Sequence, residues 1–347
     1  MHPSPRPELR DLAPVPHGGD APPGLLDFST GVSPLAPPPA VLAALHAADV
    51  TRYPHPTALP LRERVARAHG LTPEEVAAGA GSTELIWAAA RAFGGVGRSV
   101  VVLGPAFGEY AQAARASGAE VTELCCLLPP WAPEEILAAA RRASPSLVFV
   151  CRPSSPCLSA LDGAVVAGLA SSLPGALVVV DEAYLPMFDG LSPLAPAGNV
   201  ALLRSLTKVF ALPGLRVGYL LAAAPIAEAV RRALPPWNVS APASAAAIAA
   251  LGEGDALAAG RAEVARLREA LLARLSAAGA RIEASGGPFV LCRVRSARPF
   301  AQALFARGVR VRDCTSFGLP GHVRVGVRPE PEQAILGRAW EQSMEAA

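Results

Sequence analysis

Lysine is almost absent from this sequence. Lysine and arginine together number 31 in 347 residues, and Lys208 is the one lysine, which leaves thirty arginines. Arginine supplies positive charge, but its guanidinium stays protonated and is a poor nucleophile, whereas a lysine amine can attack a carbonyl and form a Schiff base. Composition leaves open whether Lys208 has a chemical role or is a surface residue that survived biased codon usage. The flanking residues must decide.

Charged and aromatic residues are also scarce, at 17% and 5% of the chain. The net charge of +2 comes from dispersed arginines without a basic run, so we expect no nucleic-acid partner and no membrane-surface partner. The most apolar stretch, residues 164–180, contains Pro174 and two serines and runs into Asp181 and Glu182. This pattern predicts a helix end followed by a buried strand rather than a membrane span.

The N-terminal residues lack the apolar segment of a signal peptide, and the six cysteines lack metal-site spacing. These cysteines show neither C-x-x-C nor a pairing with histidines; they lie at positions 125, 126, 151, 157, 292 and 314. We therefore expect no metal site, reduced thiols and a cytoplasmic location.

The 51% of hydrophobic residues predicts a large buried core, which a chain of this length divides between two domains. From about residue 60, amphipathic helices alternate with short apolar runs, which predicts an α/β fold with a mostly parallel sheet. After about residue 240 a long helical pattern leads into short strands, which predicts a smaller α+β domain. The expected divisions are an N-terminal arm at 1–30, a large domain at 31–240 and a small domain at 241–347.

Several polar and aromatic residues follow the predicted parallel strands directly. In open α/β sheets, ligands bind outside the carboxyl ends of the strands. The residues at such ends are Gly81 to Thr83, Phe107, Ser155, Asp181 and Lys208. We therefore predict a binding site there.

A Schiff base at Lys208 would suit the aldehyde of pyridoxal phosphate. The phosphate of that cofactor needs backbone N–H groups at a helix N-terminus, hydroxyl groups and an arginine. A Gly81, Ser82 and Thr83 turn precedes a predicted helix, Ser205 lies three residues before the lysine, and Arg216 lies eight after it. A turn of this kind also occurs as a plain helix cap.

The pyridine nitrogen of this cofactor needs a buried carboxylate to keep it protonated. Asp181, at the end of an apolar strand, fits that role, and Tyr184 is placed to hydrogen-bond the phenolic oxygen of the ring. The alternative for Asp181 is a carboxylate that merely begins a loop.

The stretch "SLTKVFALPGLRVGY" at 205–219 resembles the lysine motif of fold-type I pyridoxal-phosphate enzymes, the aspartate aminotransferase superfamily. Within it the chain resembles the histidinol-phosphate aminotransferase branch, and most closely the L-threonine-O-3-phosphate decarboxylases of cobalamin biosynthesis. The supporting stretches are "HGG" at 17–19, "LDFS" at 26–29, "PAFGEY" at 105–110 and "VRDCTSFGLPGHVRVGVR" at 311–328. The resemblance implies the three-layer sandwich of fold type I with a smaller C-terminal domain.

The resemblance implies a role for each matching residue. Lys208 would be the Schiff-base lysine and proton shuttle, Asp181 the partner of the pyridinium, Tyr184 the partner of the ring hydroxyl, and Phe107 the stacking residue. The phosphate contacts would be Gly81, Ser82, Thr83, Ser205 and Arg216.

Substrate and partner contacts are implied in the same way. Arg324 would bind the substrate α-carboxylate, and Arg312 would bind the substrate's own phosphate, with help from His17. For His17, an exposed residue of the arm is an equal alternative. Tyr53 would reach the cofactor phosphate of a second subunit, which implies a homodimer with shared active sites.

Two segments depart from the family pattern. Ser155 stands where an asparagine usually donates to the ring oxygen, and a serine is shorter, so a bridging water would be needed. Gly31 and Ser33 replace a segment with two asparagines, which weakens the expectation of substrate contacts there.

The residues specify the cofactor better than the reaction. The substrate bond held perpendicular to the cofactor ring is the one that breaks, so a perpendicular carboxylate gives loss of CO2 and a perpendicular C–H bond gives transamination. The same lysine, aspartate and arginines serve both outcomes. The HGG and RDC-x-SF resemblances favour decarboxylation of L-threonine O-3-phosphate to (R)-1-amino-2-propanol phosphate. One alternative is an aminotransferase acting on histidinol phosphate or another amino acid with 2-oxoglutarate. A second alternative is a non-catalytic protein that keeps the fold.

Overall fold

The computed structural model describes residues 3–10 and 12–344. Its strands are β1 (Leu26–Asp27), β2 (Val76–Gly79), β3 (Ser99–Gly104), β4 (Glu120–Cys125), β5 (Leu147–Cys151), β6 (Leu177–Asp181), β7 (Val200–Ser205), β8 (Gly218–Leu221), β9 (Arg281–Gly286), β10 (Phe289–Arg293), β11 (Val309–Arg310), β12 (Arg312–Asp313) and β13 (His322–Gly326). Its helices are α1 (Pro7–Arg10), α2 (Pro39–His46), α3 (Leu59–His69), α4 (Ser82–Phe93), α5 (Glu109–Ala116), α6 (Pro133–Ala143), α7 (Gly163–Ser172), α8 (Ala224–Arg232), α9 (Ala241–Ala250), α10 (Gly254–Ala277), α11 (Ala297–Phe305) and α12 (Glu330–Met344).

The large sheet has seven strands in the order β2-β8-β7-β6-β5-β3-β4. Strand β8 pairs antiparallel with both of its neighbours, while the pairs from β7 to β4 are parallel. A mostly parallel sheet buries both faces, which explains the continuous apolar runs of β5 and β6. The predicted α/β fold with a mostly parallel sheet is confirmed.

Helices cover both faces of the large sheet. Successive residues of β3 alternate between two hydrophobic cores, with Val101 and Leu103 on one face and Val100 and Val102 on the other. Helices α2, α3, α6, α7 and α9 contribute buried residues to the first core, and α4, α5 and α8 to the second. This is the predicted three-layer arrangement.

The apolar stretch at 164–180 forms α7 and then β6, as its composition predicts. Its helix ends at Ser172, two residues before Pro174. Of the helices that the structure describes, none is both long enough and apolar enough to cross a membrane.

The turn before α4 is capped by the glycine of the Gly81, Ser82 and Thr83 turn, not by its serine or threonine. Gly81 occupies the cap position with φ +81°, and the helix begins at Ser82. Glycine adopts this φ without strain, whereas a serine there would be strained. The Glu84 carboxylate accepts a hydrogen bond from the Ala80 N–H at 2.7 Å and closes the turn.

A second sheet forms in the C-terminal part of the chain. Its four antiparallel strands have the order β12-β13-β10-β9, and α10, α11 and α12 pack on it around a separate core. The N-terminal strand β1 joins this region, because it pairs in parallel with β11. Helix α9 packs against α2 and α3, and the predicted domain bounds stay a prediction.

Candidate active site

A cavity of about 400 Å³ lies at the carboxyl ends of the parallel strands, between them and the second sheet. It is lined by Val15, Pro16, His17, Gly18, Ser29, Thr30, Ser82, Thr83, Phe107, Gly108, Tyr110, Cys151, Ser155, Asp181, Ala183, Tyr184, Thr207, Lys208, Arg216, Arg312, Phe317 and Arg324.

Most of the predicted site residues therefore line one cavity. The exceptions are Gly81, Ser205 and Tyr53, which do not contribute to its surface. Three regions separated in sequence supply the lining: the N-terminal arm, the strand ends of the large sheet, and the hairpin of β12 and β13 with its connecting loop.

Backbone and guanidinium groups converge at the start of α4. A Cβ placed on Gly81 would overlap the Arg216 guanidinium, so the arginine lies directly against this turn. Across the same turn, a Cβ on Gly218 would lie 2.9 Å from the Ser82 nitrogen. Free N–H groups at a helix N-terminus together with an arginine form an anion-binding arrangement, which suits the phosphate of the predicted cofactor.

Ser205 is buried at the end of β7, and its hydroxyl lies 2.9 Å from the hydroxyl of Thr207. Thr207 lines the cavity and was not predicted, although it immediately precedes the lysine. Lys208 follows in the loop after β7, and its carbonyl accepts a hydrogen bond from the Ser33 N–H at 2.8 Å. The lysine is thus held between the large sheet and the N-terminal segment.

Asp181 is buried at the end of β6, with 5% of its surface exposed. Its Oδ2 accepts a hydrogen bond from the Tyr110 hydroxyl at 2.8 Å, and its Oδ1 accepts one from the Ala183 N–H at 2.9 Å. Burial raises the pKa of Asp181, and the bonds from Tyr110 and Ala183 and the charge of Lys208 oppose that rise. A cationic ring nitrogen beside this carboxylate would favour its ionised form further.

Aromatic side chains surround the same space. Phe107 follows β3, and its ring packs in a T-shaped arrangement with that of Tyr110 at a centroid distance of 5.8 Å. Tyr184 lines the cavity, and its ring packs in a T-shaped arrangement with that of Phe289 at a centroid distance of 5.0 Å. The predicted stacking role of Phe107 and the predicted ring-oxygen role of Tyr184 agree with these positions and stay predictions.

Arg324, on β13, is buried and points into the cavity. Its guanidinium lies 4.0 Å from the centroid of Phe289 and donates to the Ser29 carbonyl at 2.8 Å and to the Ser155 hydroxyl. Its Nε has no hydrogen-bond partner among the described residues. The serine that replaces the family's asparagine therefore contacts the arginine predicted to hold the substrate.

Arg312 sits directly opposite Arg324 in the pairing of β12 with β13. One of its nitrogens donates to the Pro16 carbonyl at 2.7 Å and to the Ser316 hydroxyl at 2.8 Å, and its guanidinium covers Phe317. Burial, followed by repulsion from Arg324, lowers the pKa of Arg312 below its usual value. An anion bound between the two guanidiniums would offset both the burial and the repulsion, and so would stabilise the charged form of Arg312.

His17 lies in the cavity wall rather than on a free arm. Its Nε2 is 3.0 Å from Glu109 Oε1, and Trp87 donates to the other carboxylate oxygen at 2.8 Å. The imidazole also lies 5.7 Å from the Phe107 ring, and about half of the His17 side chain is exposed. The Glu109 carboxylate and the Phe107 ring together fix the position of the His17 imidazole in the cavity wall.

Tyr53 lies outside this cavity. Its side chain is 84% exposed and packs at 5.3 Å against Trp237, which is also exposed. The prediction that Tyr53 reaches the cofactor of a second subunit concerns that partner and stays a prediction.

The lining fits a doubly anionic cofactor and an anionic substrate. Lys208, Arg216, Arg312 and Arg324 contribute four positive charges to it, and Asp181 is its one carboxylate among the described residues. The phosphate cradle at α4, the buried carboxylate and the lysine surround one space, as pyridoxal phosphate requires.

The chain matches the family "Aminotransferase class I and II" over residues 23–341. Histidinol-phosphate aminotransferase of Anaeromyxobacter sp. (strain Fw109-5) is 35% identical over 319 residues, with 88% of each chain covered. Its counterpart in Symbiobacterium thermophilum is 35% identical over 336 residues, covering 93% of this chain and 90% of the relative. The match to this family confirms the predicted cofactor, pyridoxal phosphate.

Solved structures share the fold. Histidinol-phosphate aminotransferase of Sinorhizobium meliloti in complex with pyridoxal-5'-phosphate is 26% identical, with a TM-score of 0.81 and 92% and 90% of the two chains covered. The L-threonine-O-3-phosphate decarboxylase of Porphyromonas gingivalis is 23% identical, with a TM-score of 0.81 and coverage of 92% and 100%. At that identity the second likeness shows the fold alone.

These comparisons contradict the first prediction of the reaction. The sequence motifs favoured a threonine-phosphate decarboxylase, but the curated relatives, at 32–35% identity over most of the chain, are histidinol-phosphate aminotransferases. The physical reason for the error is that both reactions need the same lysine, aspartate and arginines, so a motif around those residues does not separate them.

Proposed function

This chain belongs to the class I and II aminotransferase family, and we propose that it transfers the amino group of histidinol phosphate to 2-oxoglutarate. The observation that carries the proposal is the pair of buried arginines, Arg312 and Arg324, which are neighbours on paired strands and line one cavity. The amino donor has a phosphate and the acceptor has carboxylates, and guanidinium binds both groups in the same planar geometry. The similarity to histidinol-phosphate aminotransferases supports the same substrate.

Pyridoxal phosphate, when bound, withdraws electrons from the carbon that carries the amino group and so acidifies its proton. The protein must then hold the cofactor and move that proton. Ser82, Thr83 and Arg216 would hold the phosphate at the start of α4. Lys208, the one lysine, lies in the same cavity and would carry the proton at that carbon.

Asp181 and Tyr184, which line the same cavity, would hold the ring of the cofactor. Asp181 would pair with the ring nitrogen and keep it protonated, because an ionised carboxylate in a buried site binds a cation strongly. Tyr184 would donate to the ring oxygen. Phe107 would cover one ring face and exclude water from it.

Arg324 and Arg312 orient both substrates. Each guanidinium is already packed on an aromatic ring, Phe289 for Arg324 and Phe317 for Arg312, so little side-chain freedom is lost on binding. His17, which is hydrogen-bonded to Glu109, adds an imidazole to the cavity lining. This arrangement favours substrates with a phosphate or two carboxylates over neutral amino acids.

The test is a product analysis on purified protein loaded with pyridoxal phosphate. L-Histidinol phosphate with 2-oxoglutarate should yield glutamate and the ketone of the donor, and omission of the keto acid should stop the reaction after one turnover. Lys208→Ala should form neither product, and Arg295→Gln, which removes an exposed arginine, should leave the rate unchanged.

Two outcomes would overturn the proposal. The first is release of CO2 from L-threonine O-3-phosphate without a keto acid, at a rate above that of glutamate formation. The second is glutamate formation from other amino acids but not from histidinol phosphate, which would keep the reaction class and replace the substrate.

A further inference from the structure

We propose that Tyr110 is a positioning residue for the cofactor, which holds Asp181 ionised and oriented toward the ring nitrogen. The inference rests on the cofactor part of the proposed function and not on the choice of substrate. Tyr110 lies within the stretch "PAFGEY", and its position in the sequence gives no direct indication of such a role.

The contact geometry allows little alternative placement of the phenol. Tyr110 is fully buried in α5, and its ring stacks on Phe149 at a centroid distance of 5.0 Å and an interplanar angle of 13°. Its hydroxyl donates to Asp181 Oδ2 at 2.8 Å. The Tyr110 ring also packs in a T-shaped arrangement with Phe107, so one side chain contacts both the carboxylate and the aromatic residue that would hold the cofactor ring.

The hydroxyl is always a donor in this position. Burial, followed by the nearby charge of Asp181, raises the pKa of Tyr110 well above its usual value, so the phenol stays protonated across the physiological range. A protonated phenol can donate to an ionised carboxylate, and a hydrogen bond to a charged group is stronger than one between neutral groups. The bond therefore favours the ionised form of Asp181.

The direction of the pH effect follows from this bond. Burial raises the pKa of Asp181, and the Tyr110 bond is the first of the contacts that oppose the rise. The other titratable groups around Asp181 are Cys151 on β5, Lys208 after β7 and the adjacent Glu182. Without the Tyr110 hydroxyl the pKa of Asp181 would rise further, and protonation of the carboxyl as pH falls would begin at a higher pH.

Tyr110→Phe removes the hydroxyl and keeps the stacked ring. The matched control is Tyr219→Phe, because Tyr219 is also buried, and its hydroxyl also makes one hydrogen bond, to His69 at 2.9 Å, but it does not line the cavity. The measurement is the dissociation constant of pyridoxal phosphate from each protein as a function of pH, together with the unfolding midpoint of each cofactor-free protein.

We expect Tyr110→Phe and wild type to bind the cofactor alike at high pH and to diverge as pH falls. At low pH the wild type should bind pyridoxal phosphate about tenfold more tightly than Tyr110→Phe does, which corresponds to the free energy of one hydrogen bond to a charged group. Tyr219→Phe should follow the wild-type curve at every pH. The two variants should lose similar stability as cofactor-free proteins.

A cofactor analogue tests whether the effect of Tyr110 depends on the ring nitrogen. In 1-deazapyridoxal phosphate a carbon replaces that nitrogen, so Asp181 has no cation to pair with, and Tyr110→Phe should bind it as tightly as wild type does. In an Asp181→Asn background the Tyr110→Phe change should cost no further affinity for pyridoxal phosphate, because the two residues act through one another.

Three results would overturn the inference. If Tyr110→Phe and Tyr219→Phe changed the cofactor affinity equally, Tyr110 would be only a packing residue. The same would hold if Tyr110→Phe lost equal affinity for pyridoxal phosphate and for its deaza analogue. Wild-type protein that does not bind pyridoxal phosphate would overturn the proposed function as well. Normal cofactor binding without glutamate formation would count against the proposed substrate only.

Discussion

At the scale of single residues, the presence of a single lysine means that one substitution removes every lysine amine from the chain. Lys208→Arg keeps the charge at the site and removes the one amine side chain in the chain. We expect a folded protein with no yellow chromophore on addition of pyridoxal phosphate and no measurable turnover, because guanidinium is a poor nucleophile. Absorbance and glutamate assays would check this, and turnover close to wild type would contradict the role of Lys208.

Arg324→Lys tests whether the shape of the guanidinium matters as well as its charge. An ammonium group cannot reproduce both the planar packing on Phe289 and the paired donors that a carboxylate or phosphate accepts. We expect the KM for both substrates to rise about tenfold to a hundredfold with a smaller change in kcat, the cost of one lost charged hydrogen bond. Arg295→Lys is the control, and an unchanged KM would remove Arg324 from the substrate site.

His322 introduces a pH dependence of stability outside the site. Its side chain is 14% exposed in β13, between Arg293 in the register of β10 and Glu283 at 3.9 Å. Burial lowers the pKa of His322 from 6.5, the Glu283 charge opposes this, and the Arg293 charge adds to it. Its contribution to stability is therefore present above about pH 6.5 and is lost as pH falls through the lowered pKa.

We expect the free energy of unfolding in urea to fall less at acid pH for His322→Gln than for the wild type, because the variant lacks the histidine that must be protonated. The difference is at most about 1.4 kcal/mol for each unit by which the pKa is lowered. His46→Gln, at an exposed helix position, should keep the wild-type pH profile. Identical profiles for His322→Gln and wild type would contradict the assignment.

The site residues that lie at strand ends were predictable from the sequence alone. Asp181 and Lys208 each follow an apolar run, and parallel strands bring such positions to one edge. Tyr110 was not predictable in the same way, because its bond to Asp181 joins residues 71 positions apart and depends on how α5 packs on the sheet. The contact between Ser155 and Arg324 spans 169 positions and was missed for the same reason.

At the scale of elements, a buried ion triad joins the strand ends behind the site. Glu182, fully buried after β6, lies 2.8 Å from Arg152 Nη1 and 2.5 Å from Arg204 Nη2. It also accepts a hydrogen bond from the Leu194 N–H at 3.3 Å. These contacts connect the loop that carries Ser155 with strand β7, which leads to Lys208.

Glu182→Ala would leave two arginines without their shared counter-charge in a buried environment. We expect it to lower the free energy of unfolding by about 3 to 5 kcal/mol, the usual cost of breaking a buried ion pair from one side. Glu263→Ala removes an exposed pair with Arg266 and should cost less than about 1 kcal/mol. Denaturant titration measures both, and equal losses would contradict the structural role of the triad.

Helices and long apolar strands were more predictable than short strands. Helices α4 and α6 have clear apolar periodicity in the sequence, and a glycine or proline marks their ends. Strand β8 begins within the last two residues of the lysine motif and is four residues long, so it carries no separate signal in the sequence. Strands β1, β11 and β12 have two residues each, which is too short for any periodicity to appear.

At the scale of the whole molecule, an exposed apolar patch indicates where a second copy would bind. Val50, Tyr53 and Trp237 are 73%, 84% and 48% exposed, and Tyr53 packs on Trp237. Burial of such residues in a homodimer would remove apolar surface from water and place Tyr53 near a neighbouring site. The dimer itself is a proposal.

We expect wild type to sediment as a dimer and the Val50→Asp, Tyr53→Asp double variant to sediment as a monomer that retains cofactor less well. Val96→Asp, at a 78% exposed valine in the loop between α4 and β3, is the control and should stay dimeric. Analytical ultracentrifugation decides the matter, and a monomeric wild type that keeps full activity would reject the shared-site proposal.

The pairing of β1 with β11 sets an order of events during synthesis. Leu26 leaves the ribosome early, but its register partner is Val309, near the other end of the chain. At a translation rate of about 5 to 20 residues per second, roughly 15 to 60 seconds pass between the synthesis of β1 and that of β11. The large sheet can therefore complete its core first, and the mouth of the cavity, which the N-terminal segment forms with Arg312, closes only when translation is almost finished.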